Sequence, residues 1–152
     1  MVIISNRRIG KRWAISLVMA MLVIATSTTG CDPNTARTLA QASQTVSIGL
    51  DNAQDALIQA VQSGLVDAST ATAVDAQFKR VAQAGLTLNS TIRANLATPD
   101  VETELDNLIT AFEALVNDGV ARIQNPATKL AISTALNSAR AGLAIIAAEV
   151  RR

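Results

Sequence analysis

Three prolines divide the later part of the chain, and each directly follows a residue that can cap a helix. The pairs are Asp32-Pro33, Thr98-Pro99 and Asn125-Pro126. Proline suits the first position of a helix, because the N–H that it lacks would have no partner there. The pairs therefore predict three helix starts. A fourth is expected near Asp67 or Ser69, since Gly64 before them can adopt the left-handed conformation that ends a helix.

Apolar residues recur at steps of three and four in each of the four segments, which places them on one face of a helix. The stripes are Leu39, Val46, Leu50, Ala53, Leu57 and Val61; Val74, Phe78, Val81, Gly85, Leu88 and Ile92; Val101, Leu105, Leu108, Phe112 and Leu115; and Ile132, Leu136, Ala139, Leu143, Ile146 and Val150. Each segment has about 25 to 30 residues and would form a helix about 40 Å long. Four such helices joined by short turns predict an all-α, up-down four-helix bundle. Residues 31–152 are expected to form this single domain.

Two stretches bear on how the helices end and pack. Asn117-Asp118-Gly119 predicts that the third helix stops and then resumes. The segment 141–148 has no charged side chain, so it belongs either in the core or at a contact between subunits, and we expect the core. Glycines within predicted helices, such as Gly49 and Gly142, are expected to mark close crossings or breaks.

The first thirty residues have the order of an export signal. Arg7, Arg8, Lys11 and Arg12 precede an apolar run from Trp13 to Ala25 that only Ser16 interrupts. This run is shorter than the roughly 20 residues that span a bilayer as a helix, which favours a cleaved signal. The Ser and Thr residues at 26–29 would extend it to about 17 residues, so an uncleaved anchor remains an alternative.

The segment Thr28-Thr29-Gly30-Cys31 resembles the lipobox of bacterial lipoproteins. Gly30 matches the small residue that precedes the lipidated cysteine, whereas Thr28 departs from the usual aliphatic residue. The resemblance covers only residues 1–31, and it implies cleavage between Gly30 and Cys31 and attachment of lipid to Cys31. Lipid attachment would also account for a lone cysteine in an exported chain. Ordinary secretion, with cleavage near Ala25-Thr26-Ser27, is the other alternative.

Composition argues against several classes of function. Four of the thirteen basic residues precede Cys31, which leaves nine, scattered, against twelve acidic ones, so we expect no nucleic-acid partner. The chain has no His or Tyr, and every Met and Trp lies in the first thirty residues. We therefore expect no haem or zinc, no other metal or cofactor, and no catalytic site. An enzyme would have to use paired carboxylates, drawn from Asp51, Asp55, Asp75 and Glu113.

These patterns together predict a membrane-anchored helical lipoprotein of the bacterial cell envelope, facing the periplasm or the cell exterior. Its role would be structural or protein-interacting, with the membrane, through Cys31, and other envelope proteins or a second copy as partners. No small-molecule ligand is indicated. The alternative is a small membrane-active or phage-type envelope protein that keeps its N-terminal transmembrane helix and acts through the apolar last helix.

Overall fold

The computed structural model describes residues 33–93 and 98–152, and within them it shows four long helices and no strand. These are α1 (Pro33–Gln62), α2 (Ala68–Arg93), α3 (Thr98–Ala114) and α4 (Pro126–Val150). The predicted all-α bundle is confirmed. The predicted signal segment, including Gly30 and Cys31, lies outside the described residues.

The helix starts follow the predicted capping chemistry. Helices α1 and α4 begin at the predicted prolines, and α3 begins one residue before its proline. At α4, the Asn125 side chain accepts a hydrogen bond from the backbone N–H of Thr128 at 2.9 Å. At α2, one carboxylate oxygen of Asp67 accepts the N–H groups of Ser69 and Thr70, each at 2.9 Å. Such bonds satisfy N–H groups that the first helical turn leaves without a partner.

The predicted end of the third helix at Gly119 is wrong in its geometry. After α3, the chain continues as a π-helical turn (Leu115–Gly119) and a 3-10 turn (Val120–Arg122) without a left-handed residue. Gly119 has φ −68°, whereas Gly64, which does end α1, has φ 70°. The π turn accommodates one extra residue per turn, so Leu115, Gly119 and Val120 all stay buried. Burial of these residues therefore replaces the predicted break with a wider turn.

One continuous hydrophobic core runs through the bundle, and the predicted stripes supply most of it. Phe112, Leu105 and Leu108 of α3 are among its largest fully buried side chains. One stripe residue was placed wrongly: Val61 is exposed, and Ala60 is buried in its stead. The predicted stripe takes two consecutive steps of four, to Leu57 and then to Val61, whereas the buried residues Val46, Ala53 and Ala60 keep a spacing of seven.

The first and last helices form the most extensive pair, and α2 with α3 forms the next. Two glycines explain how closely α1 and α4 approach. A Cβ atom added to Gly49 would lie 2.7 Å from the backbone nitrogen of Ala139, and one added to Gly142 would lie 2.7 Å from the carbonyl oxygen of Ala42. The expectation that these glycines mark a close crossing is confirmed.

The uncharged segment 141–148 is only half in the core. Gly142, Leu143 and Ile146 are buried, whereas Ala144, Ile145 and two further alanines, Ala141 and Ala148, are exposed. The segment was expected to be core, and this holds for one face. The other face is apolar or neutral and in contact with solvent.

Candidate functional site

Cys31 and Gly30, the predicted lipidation and cleavage residues, are outside the described residues, but the structure defines the end of the bundle that they adjoin. Helix α1 begins at Pro33, only two residues after Cys31. At this end, a cavity of about 20 Å³ is lined by residues from all four helices, among them Leu39, Ile92, Leu108 and Val150. The first part of α1, the middle of α3 and the last parts of α2 and α4 therefore meet around this cavity.

Two buried hydroxyl groups lie on α1 close to this end. The Oγ atoms of Ser43 and Ser47 are buried and have no hydrogen-bond partner among the described residues. Ser43 lines the cavity, whose walls are otherwise apolar. A buried hydroxyl without a partner costs free energy, so these serines contribute small size rather than hydrogen bonding to the packing of α1.

A groove lies between α3 and α4. It has a volume of about 140 Å³, and Phe112, Leu143 and Ala147 are among the residues that line it. Glu113 lines it from α3 and Arg140 from α4, so each helix contributes one charge. Arg151, directly after α4, forms an ion pair with Asp106 of α3. The groove is thus apolar within and charged along both sides.

Lys129 and Arg140 are exposed along one edge of α4, and the uncharged exposed surface beside them is called the outer face. Its residues are Ala127, Leu130, Ala131, Thr134, Asn137, Ser138, Ala141, Ala144, Ile145 and Ala148. The most exposed large hydrophobic side chain is Leu130, at 69%, and Ile145 is at 44%. By length and composition, α4 is the one described helix that could cross a membrane, although a third of its most apolar stretch is buried in the bundle. A surface of this kind commonly contacts another molecule.

Charge is divided unevenly between the two helices that border the groove. Helix α3 carries five acidic residues and no basic one: Asp100, Glu102, Glu104, Asp106 and Glu113. Helix α4 carries Lys129, Arg140 and Glu149, and Arg151 and Arg152 follow it. The two sides of the groove therefore have opposite potentials.

The carboxylates considered for an enzyme lie on three different helices, α1, α2 and α3. Asp51 and Asp55 lie one turn apart on α1, and Asp75 of α2 pairs with Lys79 at 2.7 Å. Partial burial, with the nearby Asp55 charge, raises the pKa of Asp51. Across residues 33–93 and 98–152, no three Asp, Glu, His or Cys residues lie close enough to hold a metal ion.

Neither the outer face nor the groove was predicted as a site. Both depend on which helices are neighbours, and apolar spacing alone does not determine that. The signal that was available was the uncharged segment 141–148, whose exposed half belongs to the outer face.

Comparison of the chain with protein-family models, characterised proteins and solved structures finds no match.

Proposed function

We propose that this protein is a lipid-anchored helical protein of the bacterial cell envelope, held to a membrane leaflet through Cys31 and facing the periplasm or the cell exterior. Its bundle would have a structural or protein-interacting role. The observation that carries the proposal is the position of the only cysteine. It follows Gly30 at the end of a basic and then apolar lead, two residues before α1 begins.

The proposed mechanism is positional. Lipid on Cys31 would hold the start of α1 next to the membrane, because only Asp32 separates Cys31 from the first helix. A single acyl chain binds a membrane only marginally, so stable attachment needs the two or more chains that lipoproteins carry. The groove and the outer face of α4 are the surfaces that would be available to partners.

Metabolic labelling with a palmitate analogue tests the attachment. We expect the wild-type chain to be labelled and Cys31→Ser to be unlabelled. A matched control, Cys31→Ser combined with Ser63→Cys, restores one thiol on the exposed turn after α1 and should also stay unlabelled. Equal labelling of wild type and Cys31→Ser would disprove lipid attachment at Cys31.

Tryptophan fluorescence gives a second test, because Trp13 is the only Trp in the chain and there is no Tyr. Cleavage before Cys31 removes Trp13, so the processed protein should show no Trp emission. Membrane-bound protein that keeps Trp emission would contradict cleavage.

The alternative is a membrane-active protein with an uncleaved N-terminal helix, and the length and apolar composition of α4 favour it. In that case expression should make the host membrane permeable, and Trp13 should stay with the protein. The opposing observation is the close packing of α4 on α1 at Gly49 and Gly142, which insertion into a bilayer would disrupt.

A further inference from the structure

We propose that a second copy of this chain packs on the outer face of α4, with the two α4 helices antiparallel and the two-fold axis at Asn137. The proposal deepens the interaction role proposed above by naming the partner. It does not require lipid on Cys31, so the two ideas can fail separately.

The spacing of residues along the groove side of the outer face suits a two-fold pair. Leu130 and Ala144 lie seven residues before and after Asn137, and all three are exposed. An antiparallel pair centred on Asn137 therefore brings Leu130 of each copy onto Ala144 of the other. A bulky side chain then meets a small one, which is the complementarity that close helix packing needs.

The groove enlarges the surface that Leu130 of the second copy would contact. Ala144 lines the groove between α3 and α4, together with Ala147 and Leu143. Leu130 of the second copy would thus contact an apolar recess rather than a flat surface. Burial of this side chain, now 69% exposed, would favour the pairing.

Charge complementarity supports a second copy as the occupant. Lys129 and Arg140 are eleven residues apart, or three turns, and so share one flank of α4, and Arg140 shows that this flank borders α3. In an antiparallel two-fold pair, each flank of a helix meets the same flank of its partner. Lys129 of the second copy is therefore directed towards α3. All the charged residues of α3 are acidic, and its Glu113 lines the groove.

The polar residues of the outer face argue for protein rather than lipid as the partner. Thr134, Asn137 and Ser138 lie at its centre. In a bilayer, the Asn137 amide would have no water to bond with, which disfavours insertion of this face into lipid. At a two-fold axis, two Asn137 side chains can bond to each other, and a single polar residue of this kind fixes the alignment of paired helices.

Disulfide crosslinking tests the pairing. The full chain with Cys31→Ser and Asn137→Cys has one thiol, placed at the proposed axis, and is purified in mild detergent and oxidised gently. We expect a covalent dimer. The control is Cys31→Ser with Ala76→Cys, which places the thiol on the exposed surface of α2 and should give no dimer.

Second substitutions test the proposed contact of Leu130 with Ala144 and the attraction between Lys129 and Glu113. Adding Ala144→Arg to the Asn137→Cys chain should lower crosslinking about tenfold, because it puts a charge where Leu130 would pack, whereas adding Ala76→Arg should not. Adding Lys129→Glu should also lower crosslinking, and Glu113→Lys should restore it. Circular dichroism verifies that each variant stays helical.

Two results would overturn the proposal. One is equal crosslinking at positions 76 and 137, which would indicate non-specific association. The other is no crosslinking at 137 in a helical protein. If the thiol at 137 is then also shielded from a membrane-impermeant maleimide in vesicles of phosphatidylethanolamine and phosphatidylglycerol, the outer face binds lipid instead.

Discussion

Gly142 has a packing role that no larger residue can fill. An added Cβ would lie 2.7 Å from the Ala42 carbonyl oxygen and 2.8 Å from Cγ2 of Val46. We expect Gly142→Ala to lower the free energy of unfolding by about 1–2 kcal/mol. The added methyl group overpacks the contact with α1, and this destabilisation exceeds the gain from the higher helix propensity of alanine. Urea unfolding followed by circular dichroism measures this change.

Gly119→Ala is the matched control for that substitution. Its added Cβ would meet first the flexible end of Leu115 at 3.2 Å, and the residue already has helical φ. We expect a change of less than about 1 kcal/mol. Equal destabilisation by the two substitutions would show that close approach of α1 and α4 is not what requires glycine at 142.

Asp67 makes stability depend on pH. Hydrogen bonds from the Ser69 hydroxyl, from the Thr70 N–H and from the Thr70 hydroxyl hold the pKa of Asp67 well below its usual range. A carboxyl whose pKa is lowered by folding stabilises the fold above its unfolded pKa of about 3.9, and this contribution is lost as pH falls towards the folded value. Asp67→Asn should therefore lose less stability than wild type between neutral and strongly acid pH.

Asp51 provides the contrast, because partial burial and Asp55 raise its pKa. Its charged form opposes folding at neutral pH, and protonation removes that effect. Asp51→Asn should thus be more stable than wild type at neutral pH, with the difference shrinking on acidification. Melting temperatures at several pH values measure both effects. At neutral pH the melting temperature should be lower than wild type for Asp67→Asn and higher for Asp51→Asn. A change of the same sign in both variants would contradict this assignment.

At the scale of the elements, the π turn after α3 holds one residue more than a regular helical turn would. Deleting Asn117, which is exposed within it, should convert the turn to regular helix and leave Leu115 and Val120 close to the core. The control deletes Asn107, exposed within regular α3, and so rotates Leu108 and Phe112 by about 100° away from the core.

We expect the Asn117 deletion to unfold cooperatively near the wild-type temperature, and the Asn107 deletion to lose more than about 3 kcal/mol. Thermal unfolding by circular dichroism distinguishes them. If both deletions unfold the protein, the extra residue of the π turn is structurally required.

The elements also show what sequence can and cannot predict. The helix starts at Pro33, Ala68 and Pro126 followed from local capping chemistry, which depends on a few neighbouring residues. The π turn did not, because Asn-Asp-Gly has a local preference for ending a helix that tertiary burial of Gly119 overrides. The groove and the outer face depend on contacts far apart in sequence, so they required the fold.

At the scale of the molecule, the bundle combines a local pair with a distant one. Helices α2 and α3 are neighbours in sequence, whereas α1 and α4 contact across about a hundred residues, as at Ala42 and Gly142. Local contacts cost less loop-closure entropy, so α2 and α3 should pair first. Leu105→Ala, in α3, should therefore slow folding, and Gly142→Ala should mainly speed unfolding.

Stopped-flow circular dichroism over a range of urea concentrations measures both rates. Val120→Ala is a useful third variant. Val120 lies in the 3-10 turn before α4, and this turn contacts both α2 and α4. Slower folding of Gly142→Ala with an unchanged unfolding rate would show that α1 and α4 meet early instead.

The pairing of the first helix with the last also bears on synthesis and transport. A ribosome makes α1 long before α4, so for most of translation α1 lacks the surface that Gly49 packs against. The nascent chain cannot complete this tertiary structure until the twenty-five residues of α4 have emerged. The export proposed above requires a chain that is not yet fully folded, and α1 stays without its main helix partner until α4 has been made.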